Sequence, residues 1–338
     1  MKSFIFKSII YFFTITITIL LFNSYFIKKR PYDYGEFSDF RGRLKFLKEN
    51  NSDFNTIFVG SSNVRNHIKP NVFDSICGTQ SFNLGCNGMF VPTSYAIAEQ
   101  LLIDNSLKID NLLLDFSFVK NISRYLGSEK SHYWITPKNY SNALHMILNS
   151  RNNPIDKYEL GKQYSIALAN KLFSFGKPVF LYKNNTTNIS DYEINTSGYY
   201  SLDYQLVFHP NERTQESRSN FLKDSSGLER QKIKDSERRV LKQNQGLKNK
   251  IDQLLSLAKD KKINLVFFLQ PSTNFDEVFS DFMLTIPPNH RIDLTQNNEL
   301  ILAKNHFDIS HLNDKGAYYF TSLLAHKFAL LEKESTHN

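Results

Sequence analysis

Three side chains in two distant segments have the types that nucleophilic catalysis at an acyl group requires. Ser62 ends the segment Gly60-Ser61-Ser62, and Asp308 and His311 lie close together near the end of the chain. A serine hydroxyl is a weak nucleophile at neutral pH and needs a base, which an imidazole can supply. A carboxylate on the other ring nitrogen fixes the tautomer and stabilises the imidazolium. One turn could carry both the acid and the base, although each segment alone also fits an ordinary turn or surface loop.

The elements that would position these residues are short apolar runs separated by helical stretches. Near-continuous apolar runs predict parallel strands covered on both faces, at residues 56–59, 81–84, 110–118, 263–269 and, more weakly, 291–294. Helical spacing alternates with these runs and favours a doubly wound α/β sheet, with helices at residues 92–103, 246–259 and 314–332. Ligands bind such a sheet at the carboxyl ends of its strands, and Ser62 follows the first strand.

The order and spacing of three segments resemble the SGNH/GDSL hydrolase superfamily. The first strand ends in Gly-x-Ser at 60–62 and the second in Asn-x-Gly-x-x-Gly at 83–88. A terminal Asp-x-x-His-Leu-Asn at 308–313 precedes the last helix. The resemblance covers roughly residues 53–120 and 245–335. It implies an SGNH-type three-layer α/β/α domain with a parallel central sheet, formed by residues 53–120 and 245–338.

The same resemblance implies a role for each residue of the site. Ser62 corresponds to the nucleophile, His311 to the general base and Asp308 to the acid that orients it. The backbone N–H groups of Ser62 and Gly88 would form the oxyanion hole, whereas Gly85 is expected to serve a tight turn. No metal or organic cofactor is implied, and no cluster of cysteine and histidine has metal-ligand spacing.

Two departures from the superfamily pattern bear on activity. The aspartate of the usual Gly-Asp-Ser is Ser61 here, a replacement that resembles membrane-anchored members acting on acyl groups of cell-wall or exopolysaccharide chains. The block Gly-x-Asn-Asp is absent, because the third strand ends in Leu-Asp-Phe-Ser-Phe at 114–118. Ser117 or Asn121 could supply the missing oxyanion donor, but the gap also allows a weak enzyme or an inactive relative.

Several neighbouring side chains have structural interpretations that we favour over functional ones. His67 is expected to be a surface histidine rather than a group behind the nucleophile, and His306 a loop residue without a role. Arg65 could hold an anionic or polar substrate, but a structural ion pair is favoured. Cys77 and Cys86 could form a disulfide after export or remain free thiols.

The N-terminal residues predict a membrane helix. Residues 8–27 carry no charge and are long enough to cross ~30 Å of hydrocarbon. No small-residue cleavage site follows, so an uncleaved anchor over 1–30 is favoured over a signal peptide. The flanking charges are nearly balanced and do not set the orientation. A polysaccharide substrate would require an extracytoplasmic domain.

The remaining segments are assigned by composition. Residues 31–52 are interpreted as a polar juxtamembrane connector with a helix near residues 40–47. Residues 121–244 contain no confident strand and exceed an ordinary loop, which predicts an inserted, largely helical subdomain over the carboxyl ends of the strands. Most of the net charge of +8 lies in residues 218–262, as is typical of a solvated helix face. No zinc-finger spacing or RNA-binding signature indicates nucleic acid as a partner.

By resemblance, the expected protein is a membrane-anchored serine esterase or O-acyltransferase. Its expected substrates are acyl esters, above all acetyl esters, of a cell-surface polysaccharide. One alternative is a catalytically inactive SGNH-like protein that binds glycan or partners a membrane-bound O-acyltransferase. Another is a basic membrane-tethered scaffold in which the segments around Ser62 and His311 are unrelated loops.

Overall fold

The central element of the fold is a parallel sheet of five strands. The computed structural model describes residues 2–29, 38–89, 91, 93–116, 137–149, 153–173, 189–228, 245–270, 284–294 and 297–336. The strands have the order β2-β1-β3-β4-β5, and every neighbouring pair is parallel. They are β1 Thr56–Val59, β2 Ser81–Asn83, β3 Asn111–Asp115, β4 Asn264–Leu269 and β5 Arg291–Asp293. Because Thr56 pairs with both Ser81 and Asn111, the carboxyl ends of three strands meet at one edge.

Twelve α-helices accompany the sheet within the described residues. In the first half they are α1 Lys2–Lys29, α2 Ser38–Glu49, α3 Ser62–His67, α4 Pro70–Cys77, α5 Thr93–Ile103 and α6 Pro137–Leu148. The others are α7 Pro154–Phe173, α8 Asp191–Asn195, α9 Leu202–Phe208, α10 Glu212–Lys223, α11 Gln245–Lys261 and α12 Asp314–Thr336. Local chemistry fixes several ends: Ser190 and Glu193 form a capping box at α8, and Gly78 ends α4 with φ of 69°.

Apolar side chains cover both faces of the sheet because they alternate along each strand. Ile57 and Leu112 pack on one face with α2, α5, α6, α7 and α11. Phe58 and Leu113 pack on the opposite face with α3, α4 and α12. The predicted α/β class and parallel sheet are confirmed. The third strand ends at Asp115 instead of residue 118, and residues 117–118 lie outside the described residues.

Residues 38–49 pack into this core instead of forming a connector. Phe40, Leu44 and Leu47 of α2 belong to the same buried cluster as the sheet, and Arg43 is fully buried. Their spacing places the three apolar residues on one stripe of the helix. The helix predicted near residues 40–47 is confirmed. We interpreted the segment as a connector because its composition is polar, and that interpretation overlooked the buried stripe.

The described parts of the expected insert are helical, but two of the helices are part of the same core. Met146 and Ile147 of α6 and Tyr164 of α7 are buried in the cluster that covers the sheet. Those helices therefore do not form a separate unit. Helices α9 and α10 instead line the cleft at the carboxyl end of β1, as expected of the insert.

Helix α1 is the one helix among the described residues that is long and apolar enough to span a membrane. Its segment Ser3–Phe22 has a mean hydropathy of 2.1, and none of this segment is buried. A helix of 28 residues is about 42 Å long, which exceeds the ~30 Å thickness of the hydrocarbon core. Length and composition therefore agree with the predicted anchor.

Candidate active site

A tight turn between β1 and α3 presents Ser62. Ser61 caps α3, where its side chain accepts a hydrogen bond from the Asn63 N–H at 3.3 Å, and Ser62 is the first helical residue. A Cβ on Gly60 would lie 2.3 Å from Val64 Cγ2 and 2.6 Å from Asp115 Cβ. Only glycine therefore fits where the strand turns into the helix.

The loop before α12 brings the predicted acid and base to this serine. The Nε2 atom of His311 lies 3.1 Å from Ser62 Oγ, and its Nδ1 lies 3.1 Å from both carboxylate oxygens of Asp308. Asp308 Oδ1 also accepts hydrogen bonds from the backbone N–H groups of Ser310 and His311, at 2.7 and 2.8 Å. The predicted contact of Ser62 with His311 and of His311 with Asp308 is present, which contradicts the alternative of unrelated loops.

The electrostatics keep the Asp308 carboxylate ionised. Burial alone would raise the pKa of Asp308, but the hydrogen bond and charge of His311 and the two backbone N–H groups lower this pKa to about 2. An ionised carboxylate at Nδ1 leaves Nε2 as the acceptor for the serine proton. The pair has the arrangement that general base catalysis needs.

The two residues expected to form the oxyanion hole lie on the same cleft. Ser62 and Gly88 both line the cleft, and within the described part of the chain neither N–H donates to another group. Gly88 has φ of 71°, a left-handed conformation that favours glycine. Gly85 is required for a different reason from the one we expected. A Cβ there would lie 2.4 Å from the backbone nitrogen of Arg65, so close packing, not a left-handed turn, selects the glycine.

His67 is buried behind the triad and is not the surface histidine we expected. Its Nε2 accepts a hydrogen bond from the Leu312 N–H at 2.9 Å, so the ring proton is on Nδ1, which donates to Gln270 Oε1 at 2.9 Å. Burial, followed by the charge of His311, lowers the pKa of His67 to about 3. A neutral His67 thus joins the end of β4 to the loop that carries His311.

This depressed pKa predicts a pH dependence of stability. Between pH 6.5 and about 3 the unfolded chain binds a proton on His67 that the folded chain excludes. The contribution of His67 to stability is therefore complete above about pH 6.5. Below that pH the free energy of unfolding falls by up to ~1.4 kcal/mol per pH unit. His67→Gln, whose amide can donate and accept, should lose this slope between about pH 6.5 and 4.5.

The measurement is urea unfolding of the full chain in detergent at a series of pH values, followed by circular dichroism. The matched control is His326→Gln, because His326 is an exposed histidine on α12. This control should keep the wild-type slope. An unchanged slope in His67→Gln would contradict a neutral buried His67.

Two buried arginines, one of them three residues after Ser62 on α3, share one buried carboxylate. Glu193 Oε1 accepts hydrogen bonds from Arg43 Nη2 at 2.7 Å and from Arg65 Nη2 at 2.9 Å. Burial would raise the pKa of Glu193, but the charges of both arginines lower this pKa to about 2. Arg43 also donates to the carbonyl groups of Asn83 and Gly85, at 2.8 Å each, and so fixes the turn after β2. The ion pair predicted for Arg65 is confirmed.

The structure also shows the surroundings of His306 and of the two cysteines. His306 is buried, and its Nε2 and Nδ1 lie 3.0 and 3.2 Å from the carbonyl oxygens of Leu300 and Asp308. It therefore stabilises the loop of the triad instead of being a loop residue without a role. Cys77 and Cys86 are free thiols, so the disulfide alternative does not hold in this structure. Ser117 and Asn121 lie outside the described residues.

The triad opens into a cleft of about 1120 Å³. Amide, hydroxyl and charged side chains make up most of its lining residues, and three aromatic rings lie among them, those of Tyr200, Phe221 and Phe307. Helices α9 and α10 and the loops beside them supply much of one wall, with Tyr200, Gln205, Asn211, Arg213, Thr214, Ser217, Asn220, Phe221 and Lys223. Such a lining suits a hydrated polar substrate better than a long acyl chain.

Sequence reasoning did not identify Arg43, Glu193 or Gln270. The Ser-x-x-Glu spacing of Ser190 and Glu193 marks a helix start and could have located α8. Nothing local indicates that Glu193 pairs with arginines far away in the sequence. Comparisons with family models, curated proteins and solved structures gave no match, so the site is characterised by its geometry alone.

Proposed function

We propose that this chain is a membrane-anchored, SGNH-type serine esterase or O-acyltransferase. The observation that carries the proposal is the continuous chain of contacts from Ser62 Oγ through His311 to Asp308, each link at 3.1 Å. Hydrogen-bond reach between nucleophile and base, with a third group orienting the base, is the arrangement that activates a serine. Its place at the carboxyl end of β1 agrees with where ligands bind an open α/β sheet.

The residues act in two half-reactions. In the first, His311 Nε2 takes the proton of Ser62 as Oγ attacks the ester carbonyl carbon, and the carbonyl electron pair moves onto oxygen. The N–H groups of Ser62 and Gly88 stabilise that oxyanion. The alkoxide then leaves with the proton from His311. In the second half-reaction, His311 deprotonates water or a sugar hydroxyl, which attacks the acyl-enzyme and releases Ser62.

The cleft supports an acylated glycan as the substrate class. Its amides and hydroxyls can hydrogen-bond sugar hydroxyl groups, and Tyr200 and Phe221 offer rings for the apolar faces of sugars. A short acyl group such as acetyl then needs little apolar space beside Ser62. The proposal includes an extracytoplasmic α/β domain anchored by α1, because a surface polysaccharide could be reached only from that side.

A second candidate is an inactive SGNH-like protein that binds glycan or partners a membrane-bound O-acyltransferase. The observation that favours it is the carboxyl end of β3, where a buried Asp115 follows Leu114 and none of the described residues at that end is an asparagine. The first candidate explains the aligned triad, which a protein that only binds glycan does not need.

A membrane-impermeant fluorophosphonate probe tests the nucleophile and the topology together. We expect it to label the wild type and Ser61→Ala, but not Ser62→Ala, because the probe phosphonylates an activated serine. Losing the Ser61 cap should cost only about 1 kcal/mol of stability, so Ser61→Ala is the matched control. The readout is labelling of intact spheroplasts compared with lysates.

Each outcome has a separate meaning. Equal labelling of spheroplasts and lysates supports the extracytoplasmic domain, whereas labelling of lysates alone contradicts it. Labelled Ser62→Ala with unlabelled Ser61→Ala would place the nucleophile one residue earlier. A wild type inert to the probe in both preparations would favour the inactive candidate.

A further inference from the structure

Asn66 stands out among the buried asparagines of the described chain. It is 4% exposed, and no group of the described residues bonds its side-chain amide. The other buried asparagines all have partners for theirs, and these are Asn83, Asn111 and Asn305. Buried polar groups are nearly always hydrogen-bonded. The Asn66 amide has no partner among the described residues, yet it is not among the polar atoms that are fully shut off from solvent, so it can be reached from the cleft that Asn66 lines. A largely buried amide that is open to the cleft indicates a ligand that it serves.

The position of Asn66 identifies that ligand. Asn66 lies four residues after Ser62 on α3, so both side chains are on the same face of the helix. Helical side chains lean toward the N-terminus, which directs the Asn66 amide to the turn that carries Ser62. Asn66 also lines the cleft together with Ser62 and Gly88. Its amide therefore faces the space where the substrate carbonyl must be held.

The oxyanion of the tetrahedral intermediate has room for a third donor. When Ser62 Oγ bonds to the carbonyl carbon, the former carbonyl oxygen gains a full negative charge and can accept several hydrogen bonds. The N–H groups of Ser62 and Gly88 provide two. We propose that the Asn66 side-chain N–H is the third oxyanion donor, in place of the asparagine of the absent Gly-x-Asn-Asp block. The inference rests on the proposed serine chemistry and assigns a catalytic role to a helix residue.

Asn87 is the competing amide in the cleft, but the structure favours Asn66. Asn87 is exposed, and it already interacts with another part of the chain. A donor must be held in place before the charge develops, so that it costs no reorganisation in the transition state. Burial on a helix provides that rigidity for Asn66.

The test compares Asn66→Ala, Asn66→Asp and Asn63→Ala in the full chain in detergent. Asn63 is on the same helix but does not line the cleft, so Asn63→Ala is the matched control. With p-nitrophenyl acetate, Asn66→Ala should lower kcat by ~10²–10³-fold, as loss of one oxyanion donor does elsewhere. KM should change little, because the donor acts chiefly in the transition state. Asn66→Asp keeps the size but opposes the negative oxygen, so its kcat should fall at least as far.

Thermal unfolding separates this role from a structural one. Removing an amide that has no protein partner should leave the melting temperature of Asn66→Ala equal to or above that of the wild type. A structural asparagine would instead lose stability together with activity. The rate of fluorophosphonate labelling should fall in parallel with kcat, since the same donors stabilise the phosphonyl oxygen.

The outcomes that overturn the inference are distinct from those that overturn the proposed function. An active wild type with kcat of Asn66→Ala within about threefold of it would overturn the assignment of Asn66 alone. A large loss in Asn66→Ala that tracks a lowered melting temperature would do the same. A wild type inert to ester and probe would remove the serine chemistry and this inference with it.

Discussion

Replacing His311 by alanine is expected to lower kcat for p-nitrophenyl acetate by ~10⁴–10⁶-fold, because members of a triad act as a unit. Without the imidazole, the proton of Ser62 has no acceptor at 3.1 Å and the leaving alkoxide no donor. Asp308→Asn should cost ~10⁴-fold, through the wrong tautomer at His311. The measurement is steady-state hydrolysis by the full chain in detergent.

The matched control for His311→Ala is His326→Ala, which removes an exposed histidine from α12. It should leave kcat unchanged. Circular dichroism of each variant distinguishes lost chemistry from lost folding. Hydrolysis by His311→Ala at the wild-type rate would mean that another group accepts the proton, and the triad assignment would then be wrong.

The second large effect is on stability. Glu193→Ala is expected to lower the free energy of unfolding by about 3–5 kcal/mol, since it leaves the buried guanidinium groups of Arg43 and Arg65 without their shared carboxylate. Glu49→Ala is the control, because Glu49 forms only an exposed pair with Lys45 at 3.8 Å. Exposed pairs contribute about 0–1 kcal/mol. Urea unfolding of both variants measures the two losses in the free energy of unfolding. Similar losses for the two variants would contradict the stabilising role of the shared Glu193 carboxylate.

The lowered pKa of the same carboxylate predicts that the free energy of unfolding falls at acidic pH. The pKa of Glu193 is about 2 in the folded chain, below its ordinary value of 4.5. The stability that this shift confers is complete above about pH 4.5 and is lost as the pH falls toward 2. Glu193→Gln keeps the shape of the side chain and should remove the decrease in the free energy of unfolding between about pH 4.5 and 2. The slope assigned to His67 begins at higher pH, so the two effects can be separated.

The parts of the fold that depend on local patterns could be predicted from the sequence. The strands buried on both faces have nearly continuous apolar runs, and α12 has one apolar stripe. The triad could be located because its members flank such elements: Ser62 follows β1, and Asp308 and His311 precede α12. What the residues catalyse stays a prediction.

The residues that sequence reasoning missed act over long distances along the chain. Arg43, Glu193 and Arg65 come from three separate segments, and their pairing appears only when the sheet brings those segments together. A lone histidine in a polar segment usually lies at the surface. The burial of His67 becomes visible only through its contacts with Gln270 and Leu312, which are distant in the sequence. Helix α2 is a different case, because the spacing of Phe40, Leu44 and Leu47 marks its buried stripe locally, and the polar composition of the segment led us to overlook it.

The short chain between α1 and α2 has a geometric consequence. Helix α1 ends at Lys29, and α2, which is locked into the core through Arg43, begins at Ser38. Residues 30–37 can reach at most about 30 Å when fully extended. Under the proposed function, with α1 as a membrane anchor, the α/β domain would stay within a thin layer beside the bilayer. Its rate of encounter with substrate would then depend on the effective concentration of substrate held in that layer, on a lipid carrier or a neighbouring membrane protein, and not on the bulk concentration of free polymer.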